Sequence, residues 1–329
     1  MNTQTIAGGF APENVPPEVL EAEERIRGYI RETPLEYSEL LSRMSGADIY
    51  LKLENQQISG SFKFRGALNK LLASSDQELD KGVVTSSTGN HGAAFAYASQ
   101  SLGVEGTVFV PENVSPAKLE AMKLAGAHIQ FHGLDTEHTE THARAVAQEE
   151  GKLFISPYND RRIIGGQGTI GLEIRRQAEG IDGVLIPVGG GGLAAGIAGY
   201  LKSQDPTIQI YGCQPEHSPV MAESVKAGHI VRMESLPTLA DGTAGGIEQG
   251  SITFPVCRQC VDEFILVPEA DIGAVIRLFL EKFQLLIEGA AALPVAALLK
   301  EGRRFEGLKL ALIISGKKIS LDTIKNIIC

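Results

Sequence analysis

Short apolar runs rich in valine and isoleucine recur along the chain, separated by longer stretches in which apolar residues return every three or four positions. The runs at residues 83–85, 107–110, 127–131, 153–155, 184–186, 208–211, 264–267 and 310–314 read as buried strands. The stretches at 91–102, 117–124, 193–202 and 271–283 carry a helical period. Repeated strand–helix–strand units predict an α/β fold of two open, mainly parallel sheets wrapped by helices. In such folds ligands sit beyond the carboxyl ends of strands, in the turns that lead into helices.

Four of those turns carry chemistry. Gly189-Gly190-Gly191-Gly192-Leu193 follows one predicted strand and opens a helix. Backbone N–H groups at such a place suit a phosphate, and a tight packing turn is the plainer alternative. Gly189, Gly191 and Ala194 also satisfy a loose dinucleotide fingerprint, but Gln214-Pro215 stands where the ribose acid belongs and Glu216 comes just after. Ser87-Thr88-Gly89-Asn90-His91 offers hydroxyl, amide and imidazole donors at a second turn, for a carboxylate or a phenolic oxygen, or simply as a helix cap. Ser315-Gly316-Lys317-Lys318 follows the last strand, and Asp241-Gly242-Thr243-Ala244-Gly245-Gly246 lies in the longest stretch without periodicity.

A fifth segment changes the picture. Lys63 sits between Phe62 and Phe64, just after Ser59-Gly60-Ser61. An ammonium against apolar rings loses hydration, which lowers its pKa and makes a nucleophile and base of the Schiff-base type.

Composition bounds the rest. The chain has 329 residues, 43% hydrophobic and 21% charged, enough for one large or two medium domains. Its 37 glycines fall in turns between apolar runs. A net charge of −10 without a basic cluster argues against nucleic acid or an anionic membrane as partner. No apolar stretch approaches the roughly 18–20 residues of a membrane span, and residues 1–18 do not read as a signal peptide. Four scattered cysteines, Cys213, Cys257, Cys260 and Cys329, fit a reducing cytoplasm. Cys257-x-x-Cys260 lacks a second ligand pair, so no structural zinc is expected. His138 and His142 share a helix face, but Glu140 is one position late for a zinc-protease motif, so that face reads as solvated.

Ser61-Phe62-Lys63-x-Arg65-Gly66-Ala67, Ser87-Thr88-Gly89-Asn90-His91, the tetraglycine loop and the final Ser-Gly turn occur in a recognisable order. In that order the chain resembles the fold type II pyridoxal-phosphate enzymes, close to the serine/threonine dehydratases and serine racemases, from about Val19 onward. The resemblance implies pyridoxal 5'-phosphate as cofactor and Lys63 as its Schiff-base lysine. It implies Phe62 beside the ring, Asn90 on the phenolic oxygen, Gly189, Gly190, Gly191, Gly192 and Leu193 on the phosphate, Ser315 facing the pyridine nitrogen and Glu288 near the ring. Ser87, Asn90 and His91 would take the substrate carboxylate. It further implies a large cofactor-binding domain from 1–80 and 158–329, a smaller substrate-side domain from 81–157, and a homodimer. Thr88 stands where racemases carry a proton-handling serine and many threonine dehydratases an alanine. Gln214 and Val220 replace two acids of the racemase metal site, so no metal is expected. Lys317-Lys318 replaces a small residue and an asparagine, and the C-terminal regulatory domain of biosynthetic threonine dehydratases is not expected.

The implied activity is α,β-elimination from a β-hydroxy amino acid such as threonine, serine, hydroxyaspartate or phenylserine, in the cytoplasm. Racemisation is the alternative, with Thr88 as second acid/base. A nucleotide-binding protein without catalysis is the reading from a different class.

Overall fold

The computed structural model describes residues 9–114 and 116–328. Residues 1–8, the start of the segment that does not read as a signal peptide, and Cys329 lie outside the described residues.

Ten strands are present among the described residues: β1 (Leu35–Tyr37), β2 (Asp48–Lys52), β3 (Val83–Ser86), β4 (Gly106–Val110), β5 (His128–Phe131), β6 (Leu153–Phe154), β7 (Gly183–Pro187), β8 (Gln209–Pro215), β9 (Glu263–Val267) and β10 (Lys309–Ile313). They form a six-stranded sheet in the order β1-β2-β10-β7-β8-β9 and a four-stranded sheet in the order β5-β4-β3-β6. Every pairing is parallel except β1 with β2. The α/β architecture of two mainly parallel, helix-wrapped sheets is therefore as the periodicity predicts.

Side chains alternate across the large sheet, as the pleat requires. Val184, Ile186, Ala311 and Ile313 enter a core with the helices Val15–Ile26 and Gly192–Gln204. Leu185, Leu310 and Leu312 enter a second core with the helix Gly289–Glu301 on the other face. In the small sheet Val83, Val108 and Val110 pack with Phe64, Leu68 and Leu71 of the helix Lys63–Leu72. Its other face puts Val84 and Phe109 on Ala143 and Ala147 of the helix Thr136–Glu150. Both sheets are covered on both sides, which is why their strands read as near-continuous apolar runs.

β1 and β2 were not visible as apolar runs. β1 is a three-residue edge strand with an exposed glutamate, and β2 carries Asp48 and Lys52 at its ends. Lys52 is nonetheless buried, because its ammonium reaches Glu173 at 2.6 Å. The expected helix over 271–283 is shorter: it runs Glu269–Leu278, widens into a π turn over Phe279–Phe283 and stops at Gln284, whose φ is 51°. The pair His138 and His142 is split by its surroundings, since His142 stacks on His132 at 3.5 Å.

Two lacings bring the chemistry together. Arg65, fully buried, grips Glu54 at 2.7 and 2.8 Å and Glu173 at 2.7 and 2.9 Å. This fork fixes the first turn of the helix Lys63–Leu72 to the 3-10 turn Glu54–Gln56 that follows β2 and to the helix Arg161–Gln177. Ser61 bridges Gly316, and the Phe62 N–H donates to the Ser315 carbonyl at 3.1 Å. That bridge sets Lys63 beside the turn that follows β10.

Candidate active site

A cavity of about 540 Å³ opens where β3, β7 and β10 end. Phe62, Lys63, Ser87, Thr88, Asn90, His91, Gly189 to Leu193, Glu288 and Ser315 all line it. Residues as far apart in sequence as Phe62 and Ser315 thus meet in one space of the size ligand sites have.

Lys63 is the first residue of its helix, and its ammonium donates to the Pro157 carbonyl at 2.7 Å. Burial pushes it down to about 8, against the attraction of Glu288. The Phe62 ring lies 5.2 Å from the Nζ atom. The lowered pKa that the flanking phenylalanines predict is therefore present, with the Phe62 ring beside the ammonium. Phe64 itself turns away into the core of the small sheet.

The glycine loop leaves β7 and becomes the helix Gly192–Gln204, with Gly191 at φ 88°. Thr253 donates to the Gly190 carbonyl at 2.7 Å, and the Cys257 thiol lies 3.6 Å from the Gly191 carbonyl. The loop carbonyls are thereby engaged outside the cavity, while the first-turn N–H groups have no intrahelical acceptor. Tyr158 closes the loop: a methyl group at Gly190 would lie 2.5 Å from its ring. Its hydroxyl accepts from the Glu248 N–H at 2.9 Å. Tyr158 carried no motif, and the only hint of it was that four glycines leave room for a flat neighbour.

Asn90 opens the helix Asn90–Leu102, and its amide nitrogen lies 2.8 Å from both Glu288 oxygens. Its Oδ1 is buried without a partner among the described residues. Glu288 also accepts the Lys318 N–H at 3.2 Å. Burial pushes this carboxyl up to about 7, opposed by the Asn90 hydrogen bonds. His91 reaches the same cavity, but its Nε2 faces the Thr85 hydroxyl at 3.0 Å and the Ile155 carbonyl at 3.2 Å. Burial and then Lys63 push it down to about 3, so it brings no charge for a carboxylate. The Ser87 hydroxyl accepts from the Gly89 N–H at 3.2 Å. Gln214 is committed to backbone, donating to the Val188 carbonyl and accepting from the Ala222 N–H. Asp241, Thr243 and Lys318 line the cavity too.

The donor set fits pyridoxal phosphate. Ser315 keeps a buried hydroxyl without a partner among the described residues, at the end of the cavity laced to Lys63. A neutral hydroxyl suits an unprotonated ring nitrogen, a lysine lowered toward neutrality suits a carbonyl carbon, and the glycine cradle suits a phosphate.

The comparisons agree with this chemistry. The family description "Pyridoxal-phosphate dependent enzyme" matches residues 26–316. The L-threonine ammonia-lyase of Thermotoga maritima is 38% identical over 311 residues, covering 94% of this chain and 77% of that protein. The catabolic L-threonine dehydratase of Escherichia coli K12 is 38% identical over 312 residues, 94% of each. Maize serine racemase superposes with a TM-score of 0.90 at 34% identity, over 94% of this chain and 95% of that one. Fold and site thus define a pyridoxal-phosphate enzyme with two mainly parallel sheets. The chain belongs to the fold type II pyridoxal-phosphate family, in its serine/threonine dehydratase and serine racemase group, and is a pyridoxal-phosphate-dependent lyase.

Proposed function

We propose that the chain converts a β-hydroxy amino acid, L-threonine or L-serine, to a 2-oxo acid and ammonia. The observation that carries this is that Lys63 and the neutral Ser315 hydroxyl line one cavity, on segments joined by the Ser61–Gly316 bridge. When bound, pyridoxal phosphate supplies an electron sink for the bond from Cα to hydrogen. Lys63 takes the Cα proton as general base, its amine made available near neutral pH by burial. Ser315 offers no charge to hold the ring nitrogen protonated, which favours prompt loss of the β-hydroxyl. The hydroxyl leaves as water, the enamine becomes an imine, and water returns to release ammonia and the 2-oxo acid.

Phe62 would flank the ring, Gly189 to Leu193 would hold the phosphate, and Asn90, itself held by Glu288, would meet the phenolic oxygen. Ser87 and the first turn of the helix Asn90–Leu102 orient the substrate carboxylate. The described parts of residues 1–80 and 158–329 make the larger lobe and those of 81–157 the smaller, with the cavity between them. The working form is a cytoplasmic homodimer; no described helix is long and apolar enough to cross a membrane.

Racemisation would require Thr88 as a second acid/base. Its hydroxyl lines the cavity without a hydrogen-bonded base beside it among the described residues, so elimination is favoured. The test is 2-oxo acid release from threonine, serine, hydroxyaspartate and phenylserine, with chiral analysis of the remaining amino acid. Prompt 2-oxo acid supports the reading; serine that racemises without it overturns the reading.

A further inference from the structure

We propose that Lys318 is a carboxylate-binding residue of the substrate pocket, a role that rests on the lyase reading above. The other basic candidates near the loaded segments are all committed. Arg65 is buried between Glu54 and Glu173. Arg161 and Arg162 pair with Glu18 and Glu21. Lys317 lies over Gly60 and is exposed, outside the cavity. Lys63 is the reacting lysine. Among the described residues that leaves Lys318 as the one further lysine or arginine lining the cavity.

Its backbone is held, but its ammonium is not. The Lys318 N–H is fixed on Glu288, which in turn holds Asn90 at the start of the helix Asn90–Leu102. The ammonium has no hydrogen bond or ion pair among the described residues, although it feels the Glu288 charge and its burial lowers its pKa. Asp241, Glu288, Lys63 and Tyr158 are the other ionisable groups lining the cavity, apart from the neutral His91. Burial of this cation is costly, the Glu288 charge offsets part of that cost, and an arriving anion offsets more. The backbone tie through Glu288 sets residue 318 beside Asn90, on the cavity that Ser87 also lines. The carboxylate has two sources: the α-carboxylate common to all amino acids, or a second one on the β-carbon.

The experiment uses the holoenzyme, with Lys318→Asn, the charge-keeping Lys318→Arg and the outward control Lys317→Asn. KM and kcat are measured for L-threonine and 3-hydroxyaspartate, and binding of acetate and succinate is read by thermal shift. A charge-assisted hydrogen bond predicts that Lys318→Asn weakens binding about ten- to a hundred-fold, mostly in KM. Lys318→Arg should restore much of it and Lys317→Asn should change nothing. Weakening for every ligand assigns the α-carboxylate; weakening for the dicarboxylates alone assigns the distal one. Unchanged KM and unchanged anion binding in Lys318→Asn overturn the proposal. If no substrate is turned over by the parent enzyme, the lyase reading fails, and the acetate and succinate shifts still decide on Lys318.

Discussion

The Asn90 amide nitrogen lies 2.8 Å from both oxygens of Glu288, a residue 198 positions further along the chain. Together they form a buried amide–carboxyl pair on the cavity wall. Burial raises Glu288 from 4.5 to about 7, so between those values the folded protein binds more protons than the unfolded chain. Stability of the cofactor-free protein should therefore fall as pH rises through that window, by on the order of 3 kcal/mol. Glu288→Gln should flatten this slope. Melting temperatures taken across the window check it, and a variant as pH-dependent as the parent contradicts it.

Lys63→Ala should keep the fold, because alanine suits the first turn of a helix. It should lose both the visible absorbance of bound pyridoxal phosphate and the turnover. A yellow, active Lys63→Ala protein would sink the scheme; absorbance and 2-oxo acid assays read both properties.

Ser315→Ala removes a buried hydroxyl that has no partner among the described residues. Without cofactor its stability should be equal or slightly higher, since an unmet buried polar group costs about 1–3 kcal/mol. Pyridoxal-phosphate affinity should fall several-fold. Denaturation of the cofactor-free protein beside equilibrium dialysis separates the two, and a large loss of intrinsic stability would show Ser315 to be structural instead.

Arg65→Met should be far more disruptive. It leaves Glu54 and Glu173 buried without their fork, a change that costs about 3–5 kcal/mol. Arg65 and Lys52 hold Glu173 down to about 2, against the burial that would raise it. The stability from this carboxylate is present above 4.5 and is lost as pH falls toward 2. Urea denaturation of parent and variant at neutral and acid pH tests both statements.

The strands with uninterrupted valine and isoleucine, such as β7 and β10, were legible because burial on both faces leaves no polar positions. β2 was not, because its buried Lys52 looks like a surface residue until Glu173 is brought to it from 121 positions away. The burial of Arg65 between Glu54 and Glu173 is hidden for the same reason: a charge in sequence has no visible partner.

Local chemistry was determined by the chain itself. A lysine between aromatic rings, glycines before a helix and a serine after a buried strand each state what a few neighbouring residues can do. Lys63 behaves as that context predicts, at about 8. Which groups face one another was decided only by the tertiary structure. The Ser61–Gly316 bridge set Ser315 beside the Lys63 segment, Glu288 captured Asn90, Tyr158 closed the glycine loop, and Lys318 came to the cavity. The physical reason is range: hydration and backbone freedom act over a few residues, whereas ion pairing and desolvation depend on partners that only the fold delivers.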